Sequence, residues 1–263
     1  MLSHYAVHTP LQAKEEVVTR YEAKASALGP ESDEHYESER EASTRLRQDH
    51  ATYAAMIEST DESVGRIVEK IRELGIEDHT AVVFVSDNGG LSTLLRKGFS
   101  RATANVPLRA GKGWLYEGGI RAPLIVAAPG APSGLQIDEP AVSTDLHPTL
   151  LDLAGLPSMP TQHRDGASLA AAIRGADGAD QGPLYWHFPH YHGSGSRPSG
   201  AIRWGNLKLV EWFEDGAVEL YDLGNDIGER RDLIDERPEE AARLLRELRS
   251  WRDEVGANMP TPR

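Results

Sequence analysis

A carboxylate and an amide stand side by side at Asp87-Asn88, directly after the apolar run Ala81-Val82-Val83-Phe84-Val85 and directly before Gly89-Gly90. The run is short and rich in β-branched residues, as a strand buried on both faces is, and such strands sit inside parallel sheets. In open α/β sheets ligands collect just beyond the carboxyl ends of strands, so both side chains stand where a site forms. A carboxylate beside an amide oxygen, in a chain with no cysteine, suits a hard divalent cation such as Ca²⁺ or Mg²⁺. Two ligands fall short of the about 6 to 8 oxygens that Ca²⁺ takes. Read by itself, Asp-Asn-Gly-Gly is more often a plain turn.

Other residues have suitable chemistry. Lys112 lies between Gly111 and Gly113, which let the backbone approach a ligand and leave the ammonium to project; the bland alternative is an exposed lysine in a turn. His8 precedes Thr9-Pro10, where the proline forces an extended or turn conformation. Imidazole titrates near neutral pH and suits proton transfer, although a lone histidine here is usually a surface or capping residue. His4 reads as structural. His187, His190 and His192 cluster in Trp-His-Phe-Pro-His-Tyr-His, but their spacing is irregular around Pro189 and no acidic partner is evident, which argues against zinc. A loop reaching over a site is the functional reading, with His190 as the substrate contact. Plain loop structure weighs about the same.

The stretch Asn105-Val106-Pro107-Leu108-Arg109-Ala110-Gly111-Lys112-Gly113, followed by Glu117-Gly118-Gly119-Ile120-Arg121-Ala122-Pro123, adds a second motif to Asp87-Asn88-Gly89-Gly90. Together they resemble the signature of the sulfatase family, of the alkaline-phosphatase-like superfamily. The resemblance extends to His8-Thr9-Pro10-Leu11 upstream and Pro148-Thr149-Leu150-Leu151 downstream. It implies an arylsulfatase-like sulfuric ester hydrolase acting on a small-molecule or glycan sulfate ester. It further implies Ca²⁺, with Mg²⁺ as the alternative, on Asp87 and Asn88. By the same resemblance Lys112 binds a sulfate oxygen and stabilises developing charge, while His8 contacts the sulfate and protonates the departing alcohol.

The family's nucleophile is a formylglycine made from Cys or Ser within a C/S-x-P-x-R motif. Here there is no cysteine, and Ser158-Met159-Pro160-Thr161-Gln162, the nearest serine match, lacks the arginine. Two further cation-binding aspartates are likewise unassignable. The expectation is the carboxy-terminal part of a sulfatase, inactive alone, with the formylglycine in a missing amino-terminal part. A phosphate-ester hydrolase of the same superfamily and a non-catalytic anion-binding remnant are the alternatives.

The 263 residues suffice for an α/β domain with a smaller companion. The expected fold is α/β: part of an alkaline-phosphatase-like mixed or parallel sheet flanked by helices, over residues 1–155. A loop-rich connector follows at 156–181, containing a helical piece at Ser168 to Arg174. Residues 182–263 form a small antiparallel sheet with one terminal helix. Residues 14 to 45 read as a charged surface excursion with some helix. Tyr53, Met56, Ile57, Val64, Ile67, Val68, Ile71 and Leu74 mark a helical stripe facing a core, closed by Gly75. A second strand spans Leu124 to Ala128, and Ser143 or Thr144 caps a helix starting near Asp145, within which His147 packs or caps. Glu117 and Arg121 form an ion pair or loop brace. Runs at Leu184–Phe188, Gly200–Trp204, Leu207–Trp212 and Val218–Tyr221 predict the antiparallel strands, and Pro238 to Val255 the helix.

The net charge of -13 argues against nucleic acid and anionic membrane as partners, and it repels an anionic ester. Local positive charge from a cation, Lys112, Arg109 and His8 must overcome that repulsion. No run is long and apolar enough to span a membrane, and the amino end does not read as a signal peptide. Location is therefore open for this chain, with a periplasmic or secreted setting expected for the family. Sequence does not give the oligomeric state.

Overall fold

The computed structural model describes residues 1–95, 102–178 and 182–261. Arg96, Lys97 and Arg101, expected in the loop after Gly90, lie outside the described residues, as does Gln181 at the end of the connector. In chain order the main elements are α1 (Glu15–Ser26), β1 (Tyr36–Glu39), β2 (Ala42–Arg45), α2 (Ala51–Glu73), β3 (Val82–Val85) and β4 (Thr93–Leu94). Next come α3 (Glu117–Ile120), β5 (Leu124–Ala127), α4 (Leu146–Leu153) and α5 (Ala170–Ile173). The chain ends with β6 (Leu184–Phe188), β7 (Ser199–Trp204), β8 (Leu207–Trp212), β9 (Val218–Asp222) and α6 (Pro238–Glu254). This is the expected α/β class, with helices beside its sheets and an antiparallel sheet near the carboxy end.

The chain divides into two compact units. One comprises Met1–Gly65, Asp87–Ala122 and Pro183–Arg263, the other Arg66–Ser86 and Pro123–Gly182.

In the first unit β6, β7, β8 and β9 form an antiparallel meander in sequential order. The two-residue period of β8 sorts its side chains to opposite faces. Leu209 joins Ile202, Leu220, Leu244 and Leu248 in a core that includes α6, as the helical stripe of α6 predicts. Val210 and Trp212 instead join Trp114, Tyr116, Tyr221 and Ala201. A second sheet in this unit has the order β1-β2-β4, also antiparallel. It corrects the reading of residues 14 to 45 as a solvated face. Glu39, Thr44 and Arg45 are buried, because β1 and β2 are hydrogen-bonded to each other and Glu39 meets a distant arginine.

In the second unit β3 pairs antiparallel with β5, with Val83 opposite Val126 and Phe84 opposite Ile125. This corrects the reading of the central strand as parallel-paired and buried on both faces: Val85 is 46% and Ile125 62% exposed. An all-apolar run records that both faces favour burial, but the direction of the neighbouring strand leaves no mark in it. Helix α2 shows the same limit. Of its stripe Met56 is buried, whereas Ile57, Ile67 and Leu74 are exposed, since periodicity defines a face without supplying the element that covers it. Gly75, at φ 66°, ends α2 as expected.

Asp145, rather than Ser143 or Thr144, holds the N-cap position of α4, and its side chain bonds elsewhere than to the helix's first turn. Its buried carboxylate accepts hydrogen bonds from Val142 N (2.8 Å) and Ala167 N (2.9 Å), fastening the connector to the helix start. His147 is exposed, with its ring 6.0 Å from that of His163. No helix among the described residues is long and apolar enough to cross a membrane.

Candidate functional site

Asp87-Asn88-Gly89-Gly90 and the Gly-Lys-Gly stretch are separate in sequence and meet in the first unit through backbone hydrogen bonds. Gly90 O accepts from Lys112 N at 3.1 Å, and Gly89 N donates to Gly119 O at 2.9 Å. The approach is so close that a Cβ on Gly89 would lie 1.8 Å from Gly118 O. Asn105, which the sequence reading did not single out, fastens the junction. Its Nδ2 lies 2.8 Å from Gly90 O, 3.0 Å from Ala110 O and 3.0 Å from Ser92 Oγ. Ser92 Oγ itself donates to Ala110 O at 2.8 Å. An asparagine between two motifs offered no signal beyond its place inside the family-like stretch.

On this frame Asp87 is exposed, while Asn88 and Lys112 are half-buried. The structure thus brings three of the expected site residues onto two hydrogen-bonded turns. It does not bring His8 there by any contact among the described residues. His8 is exposed, its Nδ1 2.7 Å from Thr9 O and its ring 5.0 Å from that of Tyr5. Asp87 and Asn88 fit a hard cation in donor type, though no group of three His, Asp or Glu side chains among the described residues is arranged to hold a metal ion.

The histidine beside Lys112 is His192, rather than His190. Its imidazole lies against Gly113, whose φ is 90°; a Cβ there would stand 2.1 Å from His192 Nδ1. Ser194 N donates to Nδ1 at 3.2 Å, so in the neutral ring the proton is on Nε2. Burial and then the Lys112 charge hold the His192 pKa below its ordinary value. His190 is exposed, its ring edge-on to Phe188 at 5.6 Å, and His187 Nε2 lies 2.9 Å from Asn258 O. Spacing within Trp-His-Phe-Pro-His-Tyr-His could not rank the three, since the irregular turn after Phe188 decides which ring faces Gly113.

Arg109 is not the local cation that sequence suggested. Its Nε and Nη2 donate to the two Glu39 oxygens at 2.7 and 2.8 Å, and its Nη1 to Tyr221 Oη and Glu229 O, both at 2.9 Å. Its guanidinium carbon stands 3.9 Å from the Tyr116 ring centre. Arg109 is therefore a structural clamp. Glu117 is a brace, as expected, and Arg121 Nη1 approaches it at 3.7 Å. Its nearer partner is Lys208 of β8, at 2.9 Å. Lys208 is fully buried and also stands 2.8 Å from Glu229. That triad pins the start of α3, whose Gly119 receives the Gly89 bond, to the carboxy-terminal sheet.

The family model described as Sulfatase matches residues 1–156, and that of the N-sulphoglucosamine sulphohydrolase carboxy-terminal region matches 110–254. A "Sulfatase" of Formosa agariphila is 34% identical, covering 98% of this chain and 46% of the relative. "Arylsulfatase K" of Danio rerio is 30% identical over 78% of this chain and 37% of its own length. Among solved structures, Ps i-CgsB in complex with k-i-k-neocarrahexaose superimposes with a TM-score of 0.69 at 31% identity, covering 94% of this chain and 48% of that one. The chain spans about half the length, or less, of these relatives.

Proposed function

Because the chain belongs to the sulfatase family, we propose that it is the carboxy-terminal part of a sulfuric ester hydrolase acting on a glycan or small-molecule sulfate ester. The observation that carries this reading is the docking of the Asp87-Asn88 turn onto the Lys112 turn through Gly90 O. It sets two oxygen donors and an ammonium on one braced frame, as recognition of an anionic ester beside a cation requires. The carbohydrate in the Ps i-CgsB complex favours a glycan ester.

Asp87 and Asn88 would hold Ca²⁺ or Mg²⁺ together with ligands from outside these residues. When bound, such a cation neutralises charge on the ester oxygens. Lys112 holds a sulfate oxygen and stabilises the charge that grows there. His8 keeps the proton that the departing alcohol oxygen takes. The chain contains no cysteine and no C/S-x-P-x-R motif, so the nucleophile is supplied from outside it and the chain alone does not turn over.

The test is release of 4-nitrophenol from 4-nitrophenyl sulfate. The chain alone is expected to be inactive, and joining it to a formylglycine-bearing amino-terminal sulfatase segment is expected to give turnover that Lys112→Ala lowers by about 100- to 1,000-fold. Turnover by the chain alone, abolished by Lys112→Ala, would refute the inactivity. Calorimetric Ca²⁺ binding that Asp87→Ala leaves unchanged would refute the ligand assignment.

A further inference from the structure

In the first unit, next to the Lys112 turn, a cavity of about 430 Å³ is lined by Glu41, Tyr191, His192, Arg197 and Glu214, among others. That volume lies within the range of small-molecule sites. His192 is the shared wall: one part of it lines the cavity and its imidazole lies on Gly113, adjacent to Lys112. The Lys112 charge is thus felt at a wall of this cavity.

The lining has a definite chemistry. Arg197 Nη2 donates to Glu41, its Nε lies 3.3 Å from Glu214 Oε2, and Tyr191 Oη donates to the other oxygen of Glu214. Two carboxylates thus face one guanidinium, and with His192 neutral the lining carries a net negative charge. Carboxylates have several acceptor positions each and a guanidinium five donors, so groups already paired with each other still offer hydrogen bonds to hydroxyls. Tyr191 is 69% exposed, placing an aromatic side chain with a polar tip at the rim. Such a surface favours a flat, apolar-faced, hydroxyl-edged ring and repels a second anion.

Resting on the sulfatase reading above, we propose that this cavity is a subsite for a neutral saccharide ring. The ring lies next to the sulfated residue, and the subsite excludes a ring that is itself sulfated. Substrate choice then comes from two oppositely charged neighbours: Lys112 attracts the ester, and the Glu41–Arg197–Glu214 lining rejects a second one.

Saturation-transfer NMR on the full chain tests this, with lactose, singly sulfated lactose and lactose sulfated on both rings as probes. Lactose is expected to bind, and Tyr191→Ala to weaken it on the order of 10-fold in Kd. Glu214→Gln, which keeps the shape and removes a charge, is expected to raise affinity for the doubly sulfated probe several-fold relative to lactose. The proposal is overturned if lactose does not bind, if Tyr191→Ala leaves it bound as tightly, or if the wild type prefers the doubly to the singly sulfated probe. Failure of the sulfatase reading looks different. Singly sulfated lactose would then bind no tighter than lactose and be indifferent to Lys112→Ala, with the lactose results intact.

Discussion

Arg109 and Glu39 form a two-pronged ion pair, 2.7 and 2.8 Å, between the family-like stretch and a strand 70 residues earlier. Glu39 is only 4% and Arg109 18% exposed, so water screens the pair little. Burial, the largest single influence, acts to lower the arginine's pKa, and the Glu39 hydrogen bonds together with the charges of Tyr116, Glu39 and Tyr221 overcome it and hold the pKa above its ordinary value. Removing one member leaves the other buried and uncompensated. Glu39→Gln is therefore expected to cost about 3–5 kcal/mol in urea unfolding. Glu37→Gln, which breaks the more exposed pair with Arg230, should cost under about 1 kcal/mol. Equal effects from the two would show that burial does not set the strength here.

Lys208 should be similarly intolerant of loss, with a pH signature. It separates the carboxylates of Glu117 and Glu229, and Glu229 Oε2 also accepts from Glu117 N at 2.6 Å. Burial holds the Glu229 carboxyl above its ordinary pKa of 4.5, against the pull of Lys208. Lys208→Met should lift it further. A raised carboxyl contributes stability fully below its unfolded pKa and loses it as pH rises through the folded one. The variant's deficit, about 3–5 kcal/mol near pH 7, is thus expected to shrink as pH falls toward about 4.5, and Glu229→Gln in the same chain to recover part of it. Urea midpoints measured across that range would contradict this if the deficit stayed constant.

The contact between the two motifs can be tested at one atom. Gly89→Ala would place a methyl 1.8 Å from Gly118 O, so the turn must shift and the bond to Gly119 O must break. A loss of about 1–3 kcal/mol is expected from such overpacking. Gly65→Ala is the control: it lies within α2, meets nothing within 4 Å, and should add about 0.5–1 kcal/mol. Thermal melts of both variants check the opposite signs, and a neutral Gly89→Ala would mean the turns are not locked together.

The strands of the carboxy-terminal meander were readable almost residue for residue, because aromatic and β-branched runs alternate there with Gly, Asn and Asp turns. Helix α6 was readable for the matching reason that Ala241, Leu244 and Leu248 recur on one face. The hairpin of β1 and β2 was not, since Tyr-Glu-Ser-Glu and Ala-Ser-Thr-Arg look solvated until Arg109 is brought to Glu39. Polar residues buried by a partner far along the chain carry no local periodicity. The same holds at the site. Asp87, Asn88 and Lys112 stood out by type and by motif, whereas Asn105 and His192 act through neighbours that only the folded chain supplies.

His192 gives the sharpest test of that last point. Its imidazole lies against Gly113, the residue after Lys112, with Ser194 on Nδ1 and the Phe188 ring 6.2 Å away, while Arg197 and Glu214 share its cavity. Burial and the Lys112 ammonium both oppose protonation, so the ring should titrate below its ordinary 6.5 and be neutral at pH 7. A depressed pKa contributes stability present above the unfolded value and lost as pH falls through the folded one, so acidification below the ordinary 6.5 should loosen this loop. Lys112→Met removes the second cause and leaves the first. The His192 midpoint, followed by its imidazole resonances in NMR, should then rise toward 6.5 without reaching it. A midpoint indifferent to Lys112 would separate the histidine from the lysine electrostatically, and with it the cavity from the turn on which the ester is proposed to sit.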